Sequence, residues 1–96
     1  MTSKQRAYLK GLAMNMDSIM NIGKSSLTPE IVTAVDEALE KRELIKIGVL
    51  KNCADDPRAM GETIAERTKS EVVQVIGKKI VLYRRSKKQP KIELPK

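Results

Sequence analysis

The chain has 96 residues, a formal net charge of +7, and neither His, Phe nor Trp. This length predicts one domain, whose core must be built from Ile, Leu, Val, Met and Ala. The absence of His removes the usual catalytic base and the commonest metal ligand, and the single cysteine, Cys53, excludes an intramolecular disulfide and a cysteine-based zinc site. The polar N-terminus is followed by no long apolar run, so we expect a cytoplasmic protein without a signal peptide or a membrane span.

The first half of the chain predicts two helices separated by a short strand. Apolar residues recur at helical spacing over Ser3–Met14. Ile19–Ile22 is a short strand candidate, and residues 23–26 form a loop after it. Thr28 is then expected to cap a helix that has Pro29 at its first position, where the missing N–H costs nothing. This second helix is expected to end near residue 42.

The second half predicts two strands and a helix before a closing strand. Leu44–Leu50 is apolar and rich in β-branched residues, and Asp55 or Asp56 is expected to cap a third helix in the same way as Thr28. Val72–Ile76 and Ile80–Arg84 are the last strand candidates. Residues 77–79 join them and predict a hairpin turn.

The positive charge of the chain lies near its C-terminus. Residues 78–96 contain eight basic residues and one acid, whereas basic and acidic residues balance in 1–77. A neutral scaffold with a basic edge favours a polyanionic partner such as RNA, although a solvated surface that serves solubility would show the same pattern. We expect a domain over residues 1–85 and a flexible basic tail over 86–96, in which Ile92 and Leu94 could add a short edge pairing.

The predicted element order is α-β-α-β-α-β-β, which indicates an α/β fold in a single domain. Strand–helix–strand units favour parallel pairing with right-handed crossovers, whereas the closing hairpin is antiparallel. We therefore expect a mixed four-stranded sheet packed with three helices.

The first candidate site is the loop Gly23, Lys24, Ser25 and Ser26. It leads from a strand into a helix N-terminus, where free backbone N–H groups and the helix dipole favour a phosphate. Gly23 would let a ligand approach the backbone, and Lys24 adds a positive charge; an ordinary turn with a solvated lysine is the alternative interpretation. A nucleotide-binding P-loop is not predicted, because Ser18 stands where that motif requires its first glycine.

Basic side chains outside the loop are further candidates for RNA contact. Arginine can pair bidentately with phosphate, and lysine acts as a point charge. The candidates are Lys4, Arg6 and Lys10 on the first helix, Lys78 and Lys79 at the hairpin, and Arg84, Arg85, Lys87 and Lys88 near the C-terminus.

Other residue types predict little chemistry. Tyr8 and Tyr83 are the only aromatic residues, so a platform for stacking bases is not expected, and Tyr83 is expected to anchor the sheet. Met14, Met16 and Met20 are expected to fill core gaps. No arrangement of carboxylates with His or Cys indicates catalysis, a metal or a cofactor, so we expect neither an enzyme nor a small-molecule substrate.

Several segments occur together in an order that is more specific than any of them alone. They are Leu9–Ala13, Ile22–Lys24, Leu27–Thr28, Ala38–Glu40, Glu43–Ile47, Val73–Lys78 and Ile80–Arg84. Together they resemble the CRM domain family, named for chloroplast RNA splicing and ribosome maturation, in its stand-alone bacterial YhbY-like form. The resemblance covers nearly the whole chain.

The resemblance implies a fold similar to the C-terminal domain of translation initiation factor three. It also implies RNA binding, with bacterial members associated with precursors of the large ribosomal subunit. The family's GxxG loop maps onto Gly23–Ser26, where Ser26 replaces the second glycine. Because serine lacks glycine's freedom at positive φ, we expect a variant turn or a weaker contact there.

We therefore expect an RNA-binding ribosome assembly factor that binds large-subunit (pre-50S) rRNA through the loop and a basic surface. Ribosomal proteins are a further class of partner, and no membrane is involved. The alternative is a protein-interaction module that docks on a ribosomal protein or an assembly enzyme.

Overall fold

Three helices and four strands form in the predicted order. The structure, a computed structural model that describes all residues from Met1 to Lys96, has the elements α1 (Ser3–Ala13), β1 (Met20–Ile22), α2 (Pro29–Arg42), β2 (Leu44–Val49), α3 (Pro57–Thr68), β3 (Glu71–Ile76) and β4 (Lys79–Tyr83). The α/β class and the element order are confirmed, and the predicted bounds are correct to within one residue. None of the helices is long and apolar enough to cross a membrane.

Each helix begins at a side chain that caps its first turn. Thr2 and Gln5 form a reciprocal capping box at the start of α1, with both hydrogen bonds 3.1 Å long. Thr28 and Asp56 accept an N–H of α2 and α3 at 3.2 and 3.1 Å, and each is followed by proline. Asp56, rather than Asp55, is therefore the cap of α3.

The strands are arranged in the order β1-β2-β4-β3. β1 and β2 are parallel, whereas β4 is antiparallel to both β2 and β3. The C-terminal ends of β1 and β2 therefore meet at one edge of the sheet, together with the β3–β4 hairpin, since Gly48 pairs with Lys79. We call this edge the loop end (residues 23–26, 50–56 and 77–79), and the opposite edge, where Leu44 pairs with Tyr83, the tail end (residues 36–44 and 83–88).

The two faces of the sheet are covered by different helices. α2 and α3 cover the face that carries Ile45, Ile47 and Leu82, and this side holds the larger core. α1 covers part of the other face, where Leu9 and Ala13 contact a smaller cluster that includes Tyr83. Tyr83 is only 6 % exposed, which confirms that it anchors the sheet.

Two predictions about packing are wrong. Met14 is 75 % exposed and fills no core gap, because α1 ends just before it and the side of the helix that packs on the sheet carries Leu9 and Ala13. Met16 and Met20 do pack against the two clusters. The C-terminal segment, expected to be flexible, lies against the domain. It has no regular secondary structure, and Ile92 and Leu94 form no strand but pack against the smaller cluster.

The buried carboxylate of Glu43 holds the C-terminal segment in place. Its Oε2 accepts the N–H of Ser86 at 2.8 Å, and its Oε1 accepts those of Lys91 at 2.6 Å and Ile92 at 2.8 Å. Glu43 itself is fully buried and is the C-terminal cap of α2, at a φ of 66°. The polar composition of this segment predicted a flexible tail. The contact with Glu43 was missed because its donors lie more than 40 residues away from the acceptor along the chain.

Candidate nucleic-acid interface

The loop between β1 and α2 forms a tight turn directly before the N-terminus of α2. The N–H of Ser26 donates to the carbonyl of Gly23 at 2.9 Å, and Ser26 has a φ of 56° in the left-handed region. Serine therefore adopts the conformation that glycine would favour, at a cost of about 1–2 kcal/mol. The Ser26 hydroxyl donates to the Asp55 carboxylate, which stabilises this conformation. A serine here changes the strain of the turn but does not prevent positive φ.

The side chains of Lys24 and Ser25 are exposed at the tip of this loop. The segment after β2 lies beside it, because the N–H of Leu50 donates to the carbonyl of Ile22 at 2.8 Å. Lys51 is exposed on that segment and so joins the loop end. Sequence reasoning missed it, although the predicted parallel pairing already implied that the segments after β1 and β2 lie side by side.

The β3–β4 hairpin brings two of the predicted lysines to the same edge. The N–H of Val49 donates to the carbonyl of Lys78 at 2.7 Å, which places the turn next to the end of β2. Lys78 and Lys79 are exposed, and the Lys79 Nζ donates to the Ser18 hydroxyl at 3.1 Å. The loop end therefore gathers Lys24, Lys51, Lys78 and Lys79.

Two carboxylates lie at the loop end as well, at the start of α3. Asp56 is used as the helix cap, and Asp55 accepts the Ser26 hydroxyl. Both lie on the α3 side of the loop, so an anion would meet less repulsion on the side of Gly23, Lys24 and Ser25. The four lysines still leave the loop end with an excess of positive charge.

The basic residues predicted on α1 differ in their exposure and in their contacts. Lys4 and Lys10 are exposed. Arg6 is half-buried, and its Nη1 donates to the carbonyls of Val72 and Val73, where β3 has an irregular register. Arg6 thus fastens α1 to the edge of the sheet, and a single guanidinium nitrogen makes both of these contacts.

The arginines and lysines that follow β4 lie at the tail end, not at the loop end. β4 separates the two groups by five residues, or about 15 Å. Arg85, Lys87 and Lys88 are exposed there. The predicted RNA-contact residues therefore do not form one surface.

Arg84 has a structural role in this arrangement. Its Nη1 donates to Asp36 Oδ1 at 2.6 Å and to the carbonyl of Thr68 at 2.7 Å, and its Nη2 donates to the carbonyl of Asp36 at 3.0 Å. The side chain is only 16 % exposed. Its guanidinium joins α2 to the end of α3, which leaves little of it for a ligand.

Ionised glutamates offset part of the positive charge at the tail end. The Ser86 hydroxyl and the N–H groups of Lys87 and Lys88 hold the pKa of Glu40 below its ordinary value. Burial raises the pKa of Glu43, but the N–H donors of the C-terminal segment outweigh burial, and its pKa is also lowered. Both side chains are therefore negatively charged at neutral pH, so the tail end attracts anions less than its lysines alone suggest.

Comparison with known proteins gives consistent matches along the chain. The family model described as the CRS1 / YhbY (CRM) domain matches residues 1–84. The chain is 40 % identical over 95 residues to "Probable RNA-binding protein YqeI" of Bacillus subtilis, with 99 % of each chain covered. It is 34 % identical over 96 residues to an "RNA-binding protein" of Haemophilus influenzae, covering all of this chain and 96 % of the relative.

A solved structure matches the fold over nearly the whole chain. The solution structure of the hypothetical protein SAV1595 from Staphylococcus aureus superposes with a TM-score of 0.83 at 49 % sequence identity, and 99 % of each chain is covered. The three-helix, four-stranded arrangement is thus one that a similar sequence adopts.

Proposed function

The chain belongs to the CRS1/YhbY (CRM) domain family, and from this premise we propose that it is an RNA-binding protein that acts in assembly of the large ribosomal subunit. The observation that carries the proposal is the loop end, where Lys24 lies on a tight turn before a helix N-terminus and three further lysines lie on the neighbouring segments. Two relatives that match nearly their full length are named as RNA-binding proteins, which supports RNA as the partner. The resemblance described above supports the rRNA of the large-subunit precursor as the target.

In the proposed mechanism, a phosphate of the RNA lies against the N-terminus of α2. Pro29 has no N–H and the N–H of Ile31 donates to Thr28, so the helix dipole and the N–H of Glu30 attract the anion, and Lys24 adds its charge. The Ser26 hydroxyl is engaged by Asp55, so Ser26 shapes the loop rather than binding the phosphate. Lys51, on the segment beside the loop, and Lys78, one strand further along the sheet, would neutralise neighbouring phosphates.

The proposed mode of recognition reads the backbone and shape of folded RNA. Tyr83 is buried and Tyr8 lies on the outer side of α1, so no aromatic residue lies at the loop end. Phosphate contacts position a protein on RNA without sequence information of their own. The proposal includes that the protein is not an enzyme and that it acts in the cytoplasm, with ribosomal proteins as further neighbours.

The test is affinity for fragments of large-subunit rRNA across a salt series, for wild type, Lys24→Ala and Lys41→Ala. Lys41 is exposed on α2 at the tail end and serves as the matched control for loss of one lysine. The logarithm of the binding constant should fall with that of salt by about 0.7–0.9 per neutralised phosphate. Lys24→Ala should weaken binding and flatten this slope by about one contact, while Lys41→Ala should change neither.

Equal effects of the two substitutions would remove the loop from the mechanism. Small-subunit rRNA fragments of the same length provide a second control. If they bind equally well, RNA binding stands but the proposed role in large-subunit assembly loses its support.

An exposed apolar pair on α1 favours the alternative function, a module that docks on a ribosomal protein or an assembly enzyme. Tyr8 and Leu12 are 43 % and 41 % exposed and lie four residues apart, on one side of the helix. This function predicts binding to such a protein that is insensitive to salt and to Lys24→Ala, but is lost in Tyr8→Ala.

A further inference from the structure

A groove of about 490 Å³ runs between α1 and the uncovered part of the sheet. Its lysines are Lys10 from α1, Lys46 from β2 and Lys79 from β4, and no acidic residue lines it. Its apolar rim is formed by Met14 and Ile76, which are 75 % and 59 % exposed. The groove therefore combines positive charge with apolar surface that nothing in the domain covers.

Gly11 borders this groove at a position where internal packing does not require a glycine. Residues 7, 10, 11 and 14 of the groove wall lie at helical spacing, so one face of α1 is turned toward it. A Cβ added at Gly11 would meet no atom within 4 Å. Glycine is a weak helix former, so its presence in the last turn of α1 without a packing reason indicates that space is needed for something outside the chain.

We propose that this groove holds the base of an unpaired nucleotide of the bound RNA. The inference rests on the proposed function and deepens it, by adding a second contact beside the loop. The base would contact Val81 on the floor and Met14 and Ile76 on the rim. The flexible thioether of Met14 can adapt to the flat apolar face of the base. The Gln74 amide, which can both donate and accept, lies in the lining and can bond to a base edge.

Charge complementarity and continuity favour RNA as the occupant. The three lysines are placed to neutralise the phosphates on either side of the inserted base. Lys79 lines the groove and also belongs to the loop end, so one RNA strand can run from the groove to the loop. A paired base is held in the stack of its helix, so only the base of an unpaired nucleotide can enter the groove.

The test fills the groove without removing a charge. Gly11→Leu places a side chain in the open space, and Gly11→Ala is the matched control, since it makes the same helix-favouring change with little added volume. The probes are a single-stranded oligouridylate of about ten nucleotides and a blunt RNA duplex of similar length. Thermal unfolding of both variants verifies that they fold as stably as the wild type.

Gly11→Leu should weaken binding of the single strand about tenfold and change the affinity for the duplex by less than about twofold. Gly11→Ala should change neither affinity. Photo-crosslinking of an oligonucleotide that carries 4-thiouridine should label the peptides that contain Met14 or Ile76. Unchanged single-strand affinity, equal weakening for the duplex, or labels confined to other peptides would each overturn the inference.

The failure of this inference is distinguishable from that of the proposed function. If Lys24→Ala weakens binding and Gly11→Leu does not, the loop mechanism stands and the groove alone is refuted. If the wild type binds neither probe nor rRNA fragments, the proposed function fails and the inference fails with it. Salt-sensitive binding of a glutamate-rich peptide that Gly11→Leu abolishes, without an effect on RNA, would assign the groove to a protein.

Discussion

Replacing Glu43 with glutamine should loosen the C-terminal segment and destabilise the domain. The carboxylate accepts three backbone N–H groups, from Ser86, Lys91 and Ile92, at 2.6–2.8 Å. Glutamine keeps the size of the side chain and the positive φ of the position, but it puts an NH₂ donor where one of the accepting oxygens stood. The substitution therefore removes the negative charge and one hydrogen-bond acceptor without changing the backbone conformation that position 43 requires.

The expected loss in free energy of unfolding at neutral pH is about 2–3 kcal/mol. A hydrogen bond to a charged group contributes about 1.5–3 kcal/mol, and at least one of the three is lost while the others become neutral bonds. Part of the loss is recovered because the N–H groups of Lys91 and Ile92 are only partly buried and can bind water, whereas that of Ser86 is buried. Ile92 and Leu94 should also lose part of their packing against the smaller cluster.

The stabilisation by Glu43 should depend on pH in a defined direction. Because its pKa is lowered below the ordinary value of 4.5 in the folded protein, its stabilising effect is present above that value. The effect is lost as the pH falls through the lower pKa of the folded state. The wild type should therefore lose its stability advantage over Glu43→Gln in acid.

Urea unfolding followed by circular dichroism, at neutral and acidic pH, measures both effects. Amide hydrogen exchange should show faster exchange at Ser86, Lys91 and Ile92 in Glu43→Gln. Glu37→Gln is the control, since Glu37 is exposed on α2. If Glu43→Gln changes stability by less than about 0.5 kcal/mol and leaves exchange unchanged, the carboxylate does not anchor the segment.

Three further variants test the electrostatics and the packing. Arg84→Met should lower the free energy of unfolding by about 2 kcal/mol, because it leaves two backbone carbonyls and Asp36 without their donor; thermal unfolding tests this, and an unchanged midpoint would contradict the structural role. Asp55→Asn should raise affinity for rRNA fragments about two- to fivefold at low salt by removing a negative charge beside the loop, and weaker binding would show that Asp55 matters more for holding the turn. Replacing Lys87 and Lys88 together with alanine should reduce affinity less than Lys24→Ala alone, and the reverse order in a binding titration would place the RNA at the tail end.

Local features of the sequence predicted the elements well because each signal acts over a few residues. Thr28 before Pro29 and Asp56 before Pro57 mark helix starts by supplying an acceptor and omitting a donor. Gly77, at a φ of 52°, allows the hairpin turn. The family resemblance depended on the same local segments, and the loop Gly23–Ser26 was recognised from them.

The functional surface was only partly predictable, since it depends on which strands become neighbours. Lys51 and Lys46 were missed because their relevance follows from the position of β2 between β1 and β4. Arg84 was taken for a surface cation, yet its partners, Asp36 and Thr68, lie on two helices distant in sequence. No pattern within a few residues of Arg84 indicates those contacts.

The sequence by itself determined the order of the elements, the cap of α2, the family and the total charge, because these follow from composition and from contacts between near neighbours. Only the tertiary structure decided how that charge is divided. It brought Lys24, Lys78 and Lys79 to one edge of the sheet and held the C-terminal lysines at the other, beside Glu40 and Glu43. The physical reason is that strand order and buried hydrogen bonds join residues tens of positions apart, and these determine which charges lie close enough to act together.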